Sequence, residues 1–421
     1  MRKRGIGPLG IMLLFCWLGA TLGCDCLCGE KTAAVKAPPR IAVPAKPSDI
    51  EPGKPWHFAV SGDSRNCGDV VMPAIAHGAD QDKAKFYWHL GDLRAIYDFD
   101  EDMLQDAKMN GQHLTIINYE TKAWENFKHN QTVPFGPIPF FLGIGNHETI
   151  APKNRCEFSK AFDEFLNSRE LQQQRLEDDK DPEFVKATKQ CSAGTPLPEC
   201  NSSDDTAGIH PKTYFHWVVD GVDFIYLDNG TKNQFDQCQM AWFNALVEKD
   251  AKSDAVRTLV VGMHEALPYS ISQSHSMNES PQGEASGREV YRKLLALEGK
   301  KKVYVLASHS HYYMEDIFNT QYWKSNGGVL PGWIVGTAGA VRYALPEPNA
   351  AKVAKTNVYG YLLGTVSPAG QEAGTVQFEF KQLEEKDVPA AIVHGFSQEF
   401  VHWCFVDNTQ AKAGNKATPE H

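Results

Sequence analysis

Runs of basic residues are scarce in this chain of 421 residues. Beyond the first four positions only the short cluster 300–302 stands out, and the net charge is −10. A protein that holds a nucleic-acid backbone needs clustered positive charge, so we expect no nucleic-acid polymer as a partner. A small phosphorylated substrate stays open, because a metal ion can supply positive charge locally.

Internal repeats are lacking too, and the one long uncharged apolar run, residues 6–23, follows three basic residues at the N-terminus. This order is typical of a secretory signal peptide. The run contains Gly and Pro and falls just short of a comfortable membrane span. We therefore expect residues 1–23 to be a signal peptide rather than a membrane anchor. Cys24 follows Gly23 as in a bacterial lipobox, but Thr21 stands where Leu is preferred. The prediction is therefore an exported protein, either secreted, periplasmic or a cell-surface lipoprotein with a lipid on Cys24.

Cysteine is present in a number that fits export. The chain has ten cysteines, and such a set in an oxidising compartment predicts disulfides whose pairing cannot be deduced. Cys67 lies four residues after Asp63, and we expect it in a disulfide rather than at a metal. Residues 150–215 resemble an insertion, either a lid or rim held by Cys156, Cys191 and Cys200 or a surface loop.

The rest of the chain divides by composition. Residues 24–55 are rich in Pro, Ala and Lys and predict an extended tether, residues 56–406 a folded domain, and residues 407–421 a flexible tail. Short apolar runs of strand length alternate with helical patterns, which indicates an α/β core. Two later runs, 359–366 and 375–380, predict a hairpin and hence mixed sheets. The runs are 57–61, 86–90, 140–144, 222–227, 258–262, 303–307 and 333–335, and the helical patterns are 70–77, 238–249 and 288–298.

Five polar motifs each follow one of the apolar runs. In chain order they read GDSR from Gly62, GDLR from Gly91, GNHE from Gly145, GMHE from Gly262 and SHSH from Ser308. Sites in α/β sheets form at the carboxyl ends of strands, so we expect these loops to converge. Each motif alone is weak, since Gly-Asp is a common turn. As an ordered set they offer carboxylate, amide and imidazole groups, which suit Zn, Fe or Mn better than Mg or Ca.

The ordered set resembles that of the calcineurin-like metallophosphoesterase superfamily, which includes the purple acid phosphatases. The family's motifs run GDxH, a GDxxD-like motif, GNHE, a His at a strand end, and GHxH, and the resemblance covers about residues 56–345. It implies a metallophosphoesterase-type α/β fold, a two-layer mixed β-sandwich flanked by helices. It also implies a centre of two divalent or trivalent metal ions.

The resemblance implies a role for each matching residue. Asp92 bridges the two ions. The first site is completed by three neutral ligands, Asn146, His264 and His309. The second is completed by Asp63 and His311. His147 lies beside the metals and either stabilises the transition state or protonates the leaving oxygen. The implied activity is hydrolysis of a phosphate monoester or diester by a metal-bound hydroxide.

The first motif departs from the family pattern. Arg65 stands where the family usually has a His, and Arg cannot ligate a metal. Ala95 stands where purple acid phosphatases have a Tyr, so the second metal site is expected to be weak. Arg65 either binds a substrate phosphate through two hydrogen bonds from its guanidinium group or forms an ion pair with an acid such as Asp100. Arg94 has the same two interpretations, and both arginines are candidate substrate-binding residues.

Three alternatives stay open beside a two-metal phosphoesterase. One is a one-metal esterase in which Arg65 replaces the second cation. Another is an exported protein that binds metal or phosphate without turnover, although such a protein has no need of His147. The third is a scaffold with structural zinc, but structural zinc sites are usually closed and rich in Cys.

Overall fold

A computed structural model describes residues 50–51, 53–192, 212–231, 234–346, 351–367 and 369–411, without the side chains of 190–192. The predicted signal peptide, Cys24, Cys200 and most of the tether and tail lie outside these ranges, as does the side chain of Cys191. Within the described ranges, no helix is both long and apolar enough to cross a membrane.

Two mixed β-sheets form the centre of the molecule. The first has the strand order β12-β11-β1-β2-β3, with β1, β2 and β3 parallel. The second has the order β10-β8-β9-β7-β6-β5-β4, with β5, β6, β7 and β9 parallel. The strands are β1 (Trp56–Ser61), β2 (Ala84–His89), β3 (Phe140–Leu142), β4 (Phe215–Val219), β5 (Val222–Leu227), β6 (Thr258–Met263), β7 (Lys302–Ala307), β8 (Tyr313–Glu315), β9 (Gly332–Val335), β10 (Ala354–Lys355), β11 (Tyr359–Val366) and β12 (Val376–Leu383).

Aromatic side chains join the two sheets face to face. Phe58 of the first sheet packs edge-on against Phe224 of the second, with ring centroids 5.0 Å apart. Trp217 stacks on Phe141 at 3.9 Å and meets Phe86 edge-on at 5.3 Å. These stacked and edge-on pairs are the geometries that aromatic rings prefer. The predicted two-layer mixed β-sandwich flanked by helices is confirmed.

Helices cover the outer faces. In β6, Val260 joins the core between the sheets, whereas Leu259 and Val261 pack with Phe243 of α8 and Val290 of α9, as the period of two in a strand requires. The helices are α1 (Gly68–Gln81), α2 (Glu101–Met109), α3 (Ile116–Phe127), α4 (Arg155–Ala161), α5 (Asp163–Leu166), α6 (Arg169–Asp178), α7 (Pro182–Ser192), α8 (Gln237–Lys252), α9 (Pro281–Leu295), α10 (Gln321–Ser325), α11 (Ala390–Phe396) and α12 (Gln398–Val406).

The described part of the predicted insertion is helical and packed. Phe158 and Phe162 pack edge-on against Trp124 of α3, and buried Asp178 accepts a hydrogen bond from His216 of β4 at 2.8 Å. Ser168 caps α6 by accepting a hydrogen bond from the backbone N–H of Leu171. The surface-loop alternative is therefore wrong for the described residues, while a lid or rim stays a prediction.

A disulfide links the two ends of the folded domain. Cys67, immediately before α1, is bonded to Cys404 in α12, and 337 positions of sequence separate them. The expected disulfide at Cys67 is thereby confirmed. Cys156 and Cys238 are disulfide-bonded as well.

Replacing Cys67 and Cys404 together by Ala is expected to lower the free energy of unfolding by about 2–5 kcal/mol, because the cross-link closes a very long loop in the unfolded chain. Urea unfolding of the oxidised proteins measures this. The double replacement leaves no new free thiol, so reshuffling does not confuse the comparison. An unchanged unfolding midpoint would contradict the expectation.

Candidate metal centre

The predicted ligands lie at the carboxyl ends of parallel strands. Asp63, Asp92 and Asn146 follow β1, β2 and β3, while His264 and His309 follow β6 and β7. The loops are bonded to one another as well as to their strands. The backbone N–H of Asp63 donates to the carbonyl of Gly91 at 3.0 Å, and the N–H of Ser308 donates to the carbonyl of His264 at 2.9 Å. The sequence-based expectation that these loops converge is met by this geometry.

Strained backbone accompanies the convergence. Asp63, Asp92 and His309 have φ values of 62°, 60° and 64°, a region that costs a non-glycine residue of order 1–3 kcal/mol. Gly145 allows the close approach, because a Cβ there would collide with the Asp92 carboxylate and backbone. The backbone therefore sacrifices local stability to bring these side chains together.

The first ligand group is formed by Asp92, His264 and His309 with Asn146 beside them. The Nδ1–H of His264 donates to the carbonyl of Leu90 at 3.0 Å, so its Nε2 carries a lone pair. That nitrogen lies 3.0 Å from Asn146 Oδ1, 3.1 Å from His309 Nδ1 and 3.3 Å from Asp92 Oδ1. Neither oxygen can donate a hydrogen bond. The lone pairs of these ligand atoms thus point toward one another, and a cation placed among them would offset their repulsion.

The second ligand group is Asp63, Asp92 and His311. The Nδ1–H of His311 donates to the carbonyl of Val341 at 2.6 Å, and the Nε2 lone pair lies 3.2 Å from Asp63 Oδ1. Asp63 Oδ1 and Asp92 Oδ2 are buried without a hydrogen-bond partner. Buried carboxylate oxygens of this kind need a positive charge nearby.

Arg65 provides such a charge at the second group. One guanidinium nitrogen donates to His311 Nε2 at 3.2 Å and to the Tyr343 hydroxyl at 3.4 Å, and the other donates to His147 Nε2 at 2.6 Å. Its Nε lies 4.0 Å from Asp92 Oδ2. The ion-pair alternative is therefore met by Asp92 rather than by Asp100, which lies 3.8 Å from the guanidinium of Arg94.

Arg94 is not among the side chains brought to the site. It is fully buried, donates to Asp102 at 3.0 Å, and also bonds Asp69 and Asn126. Its guanidinium is occupied by this ion-pair network behind α1 and α2. The assignment of Arg94 as a substrate-binding residue is therefore corrected to the ion-pair interpretation.

The electrostatics of the pocket favour neutral imidazoles beside an ionised carboxylate. Burial, reinforced by the charge of Arg65, lowers the pKa of His147 to about 3. Burial and then Arg65 also lower the pKa of His311. For Asp92, burial raises the pKa, but His147, His264 and Arg65 outweigh it and hold the pKa well below its usual range. Unprotonated imidazole and carboxylate are the forms that metal ligation requires.

Two buried side chains that the sequence analysis did not single out hold the ligand loops. Asn229 accepts hydrogen bonds from the N–H groups of His264 and Glu265 at 3.2 and 3.0 Å, and donates to the Glu265 carbonyl at 2.8 Å. Glu148 accepts from the N–H groups of Asp92 and Gly145 at 2.9 and 2.7 Å. Glu148 is the last residue of the GNHE motif, whereas Asn229 lies outside all five motifs, so only Glu148 had a signal in the sequence analysis.

Aromatic rings border the candidate site. Tyr343 stacks on His311 at 4.0 Å, Tyr97 lies 5.2 Å from the His147 ring, and His275 lies 5.6 Å from the His309 ring. Tyr97 is exposed. Rings thus lie against three histidines of the candidate site, and one of these rings, Tyr97, reaches solvent.

Comparisons with known proteins add three structures of low similarity. No family model matches the chain, and no curated protein matches it. A structure described as GAP50, the anchor in the inner membrane complex of Plasmodium, is 10% identical with a TM-score of 0.41 over 84% of this chain and 96% of that one. PhoD is 14% identical with a TM-score of 0.45 over 79% and 73%. A dimetal phosphatase from Danio rerio is 10% identical with a TM-score of 0.38 over 79% and 100%.

All three TM-scores lie below 0.5, so these likenesses assign no activity to this chain.

Replacing Asn229 by Ala is expected to weaken Zn²⁺ binding about tenfold, since side chains that orient metal ligands typically contribute about 10–100-fold to affinity. Competition with a chromophoric chelator measures the affinity. Asn408→Ala is a matched control: Asn408 is a buried amide that bonds Tyr359 at 2.8 Å, so its loss should lower stability and leave Zn²⁺ affinity unchanged. Equal affinity in Asn229→Ala and the unaltered protein would contradict the role of Asn229.

Proposed function

We propose that this protein is a metal-dependent phosphoesterase that hydrolyses a small phosphate monoester or diester. The observation that carries the proposal is the convergence of Asp92, Asn146, His264 and His309 lone pairs beside the Arg65 guanidinium. A divalent ion held by those four residues would supply Lewis acidity and lower the pKa of a coordinated water. Zn, Fe and Mn suit a set of imidazole, amide and carboxylate donors.

The residues around this group favour an anionic substrate. Arg65 stays protonated at any ordinary pH, and its charge adds to that of a bound ion. Together these cations exceed what the carboxylates of Asp63 and Asp92 neutralise, so the pocket attracts a phosphate group. His147 Nε2, directed at Arg65, is placed to exchange a hydrogen bond with a reacting oxygen once substrate draws the guanidinium away.

The donor set speaks against a structural zinc site. Structural sites are usually closed by four protein ligands rich in Cys. In the described residues, the candidate ligand groups contain only Asp, Asn and His, and nearby Cys67 is committed to its disulfide. Ligands of this type with open positions are characteristic of catalytic metals.

Asp92→Asn is expected to reduce phosphoester hydrolysis by at least about a hundredfold, because a direct ligand contributes no less than the outer groups that orient it. Turnover of p-nitrophenyl phosphate and bis(p-nitrophenyl) phosphate after loading with Zn²⁺, Mn²⁺ or Fe²⁺ is the measurement. Asp254→Asn, the same change at an exposed position, is the control. Circular dichroism verifies the fold. Full turnover by folded Asp92→Asn would show that the ligand assignment is wrong.

We also propose that the protein works outside the cytoplasm. The supporting observations are the signal-like residues 1–23 and the disulfide of Cys67, since disulfides persist mainly in oxidising compartments. Mass spectrometry of the native protein is expected to find a mature N-terminus near Cys24, with or without a lipid. A soluble cytoplasmic species that keeps Met1 would refute this proposal.

A further inference from the structure

We propose that the guanidinium of Arg65 takes the place of a second metal ion, so that each chain binds one metal ion at Asp92, Asn146, His264 and His309. The inference deepens the proposed function, since it concerns the same site. It is nevertheless separable, because the number of ions bound can be measured without any hydrolysis.

The first argument is the use of the His311 lone pair. The Nδ1–H of His311 is committed to the Val341 carbonyl at 2.6 Å, so Nε2 is its only atom available to a metal. Arg65 donates to that atom at 3.2 Å. A lone pair that accepts this hydrogen bond is not free for ligation. The same holds for His147 Nε2, which accepts from the other guanidinium nitrogen at 2.6 Å.

The second argument is charge. Arg65 is only 6% exposed and cannot lose its proton under ordinary conditions. A second cation that shared the Asp63 and His311 ligands would lie within a few ångströms of the guanidinium, where little water screens the repulsion. Arg65 Nε lies 4.0 Å from Asp92 Oδ2, so the protein already places a fixed positive charge beside this carboxylate.

The third argument is that Asp63 has a role without a second metal. Its Oδ2 accepts a hydrogen bond from the backbone N–H of His309 at 2.8 Å. His309 has a φ of 64°, so the contact helps to hold a strained residue of the first ligand group. Asp63 thus orients a ligand of the single ion rather than ligating a second ion.

The test is the metal stoichiometry of the full chain, measured by elemental analysis after chelator stripping, Zn²⁺ loading and dialysis. The unaltered protein is expected to retain one Zn²⁺ per chain. Arg65→His removes the guanidinium and supplies an imidazole, so it is expected to retain two. Arg257→Ala is the matched control, because Arg257 lies just before β6, at the opposite end of that strand from His264, and it should retain one.

Mn²⁺ loading gives an independent readout. Electron paramagnetic resonance should show an isolated ion in the unaltered protein and a spin-coupled pair in Arg65→His. Arg65→Ala serves as a second variant in case Arg65→His fails to fold, and should also gain Mn²⁺, with weaker affinity at the added site.

The outcomes separate cleanly. Two ions per chain, or a spin-coupled pair, in the unaltered protein would overturn the inference. Folded Arg65 variants that stay at one ion would also overturn it, since the guanidinium would then be blocking nothing. One ion in the unaltered protein and two in Arg65→His supports it. If that pattern appears and no phosphoester is hydrolysed, the inference stands and the proposed function fails.

Discussion

One electrostatic constraint determines the arrangement of the site. The fold holds buried lone pairs and carboxylates closer together than their mutual repulsion would otherwise allow. His264 Nε2 lies 3.3 Å from Asp92 Oδ1 and 3.0 Å from Asn146 Oδ1, and a buried acceptor without a donor carries a desolvation cost. Cations offset this cost. Arg65 supplies one within the chain, and the proposed metal ion would supply the other, so the proposed affinity for metal would follow from how the loops are held.

The loops can be held this way because the layers beneath them are rigid. A closely packed aromatic layer between the sheets contains Trp217, Phe141 and Phe224. Close-packed protein interiors have low compressibility and therefore transmit strain. Strand ends fixed by that layer keep Asp63 and Asp92 in their costly backbone conformations. Asn229 and Glu148 then fix the remaining freedom of the ligand loops through backbone hydrogen bonds.

The sequence predicted those parts of the molecule that local patterns determine. Apolar runs of strand length located most of the parallel strands, and the order of the polar motifs predicted that Asp92 and His264 would meet. Contacts between residues far apart in the sequence could not be predicted from these local patterns. Arg94 follows Asp92 by two positions and has the same chemistry as Arg65, yet its partners Asp69 and Asp102 lie on α1 and α2. Strand β4 was missed because it lies beside the insertion, and α9 begins at Pro281, earlier than its apolar period.

The disulfide between Cys67 and Cys404 joins an early part of the chain to a late part. It can therefore form only after most of the domain has been synthesised. The loop that carries Asp63 and Arg65 is among the first parts of the domain to be made, whereas its covalent partner is among the last. A chain that ended before α12 would keep every predicted ligand and yet lack the cross-link beside the first of them. The cross-link beside the candidate site therefore depends on α12, although every predicted ligand precedes α12 in the chain.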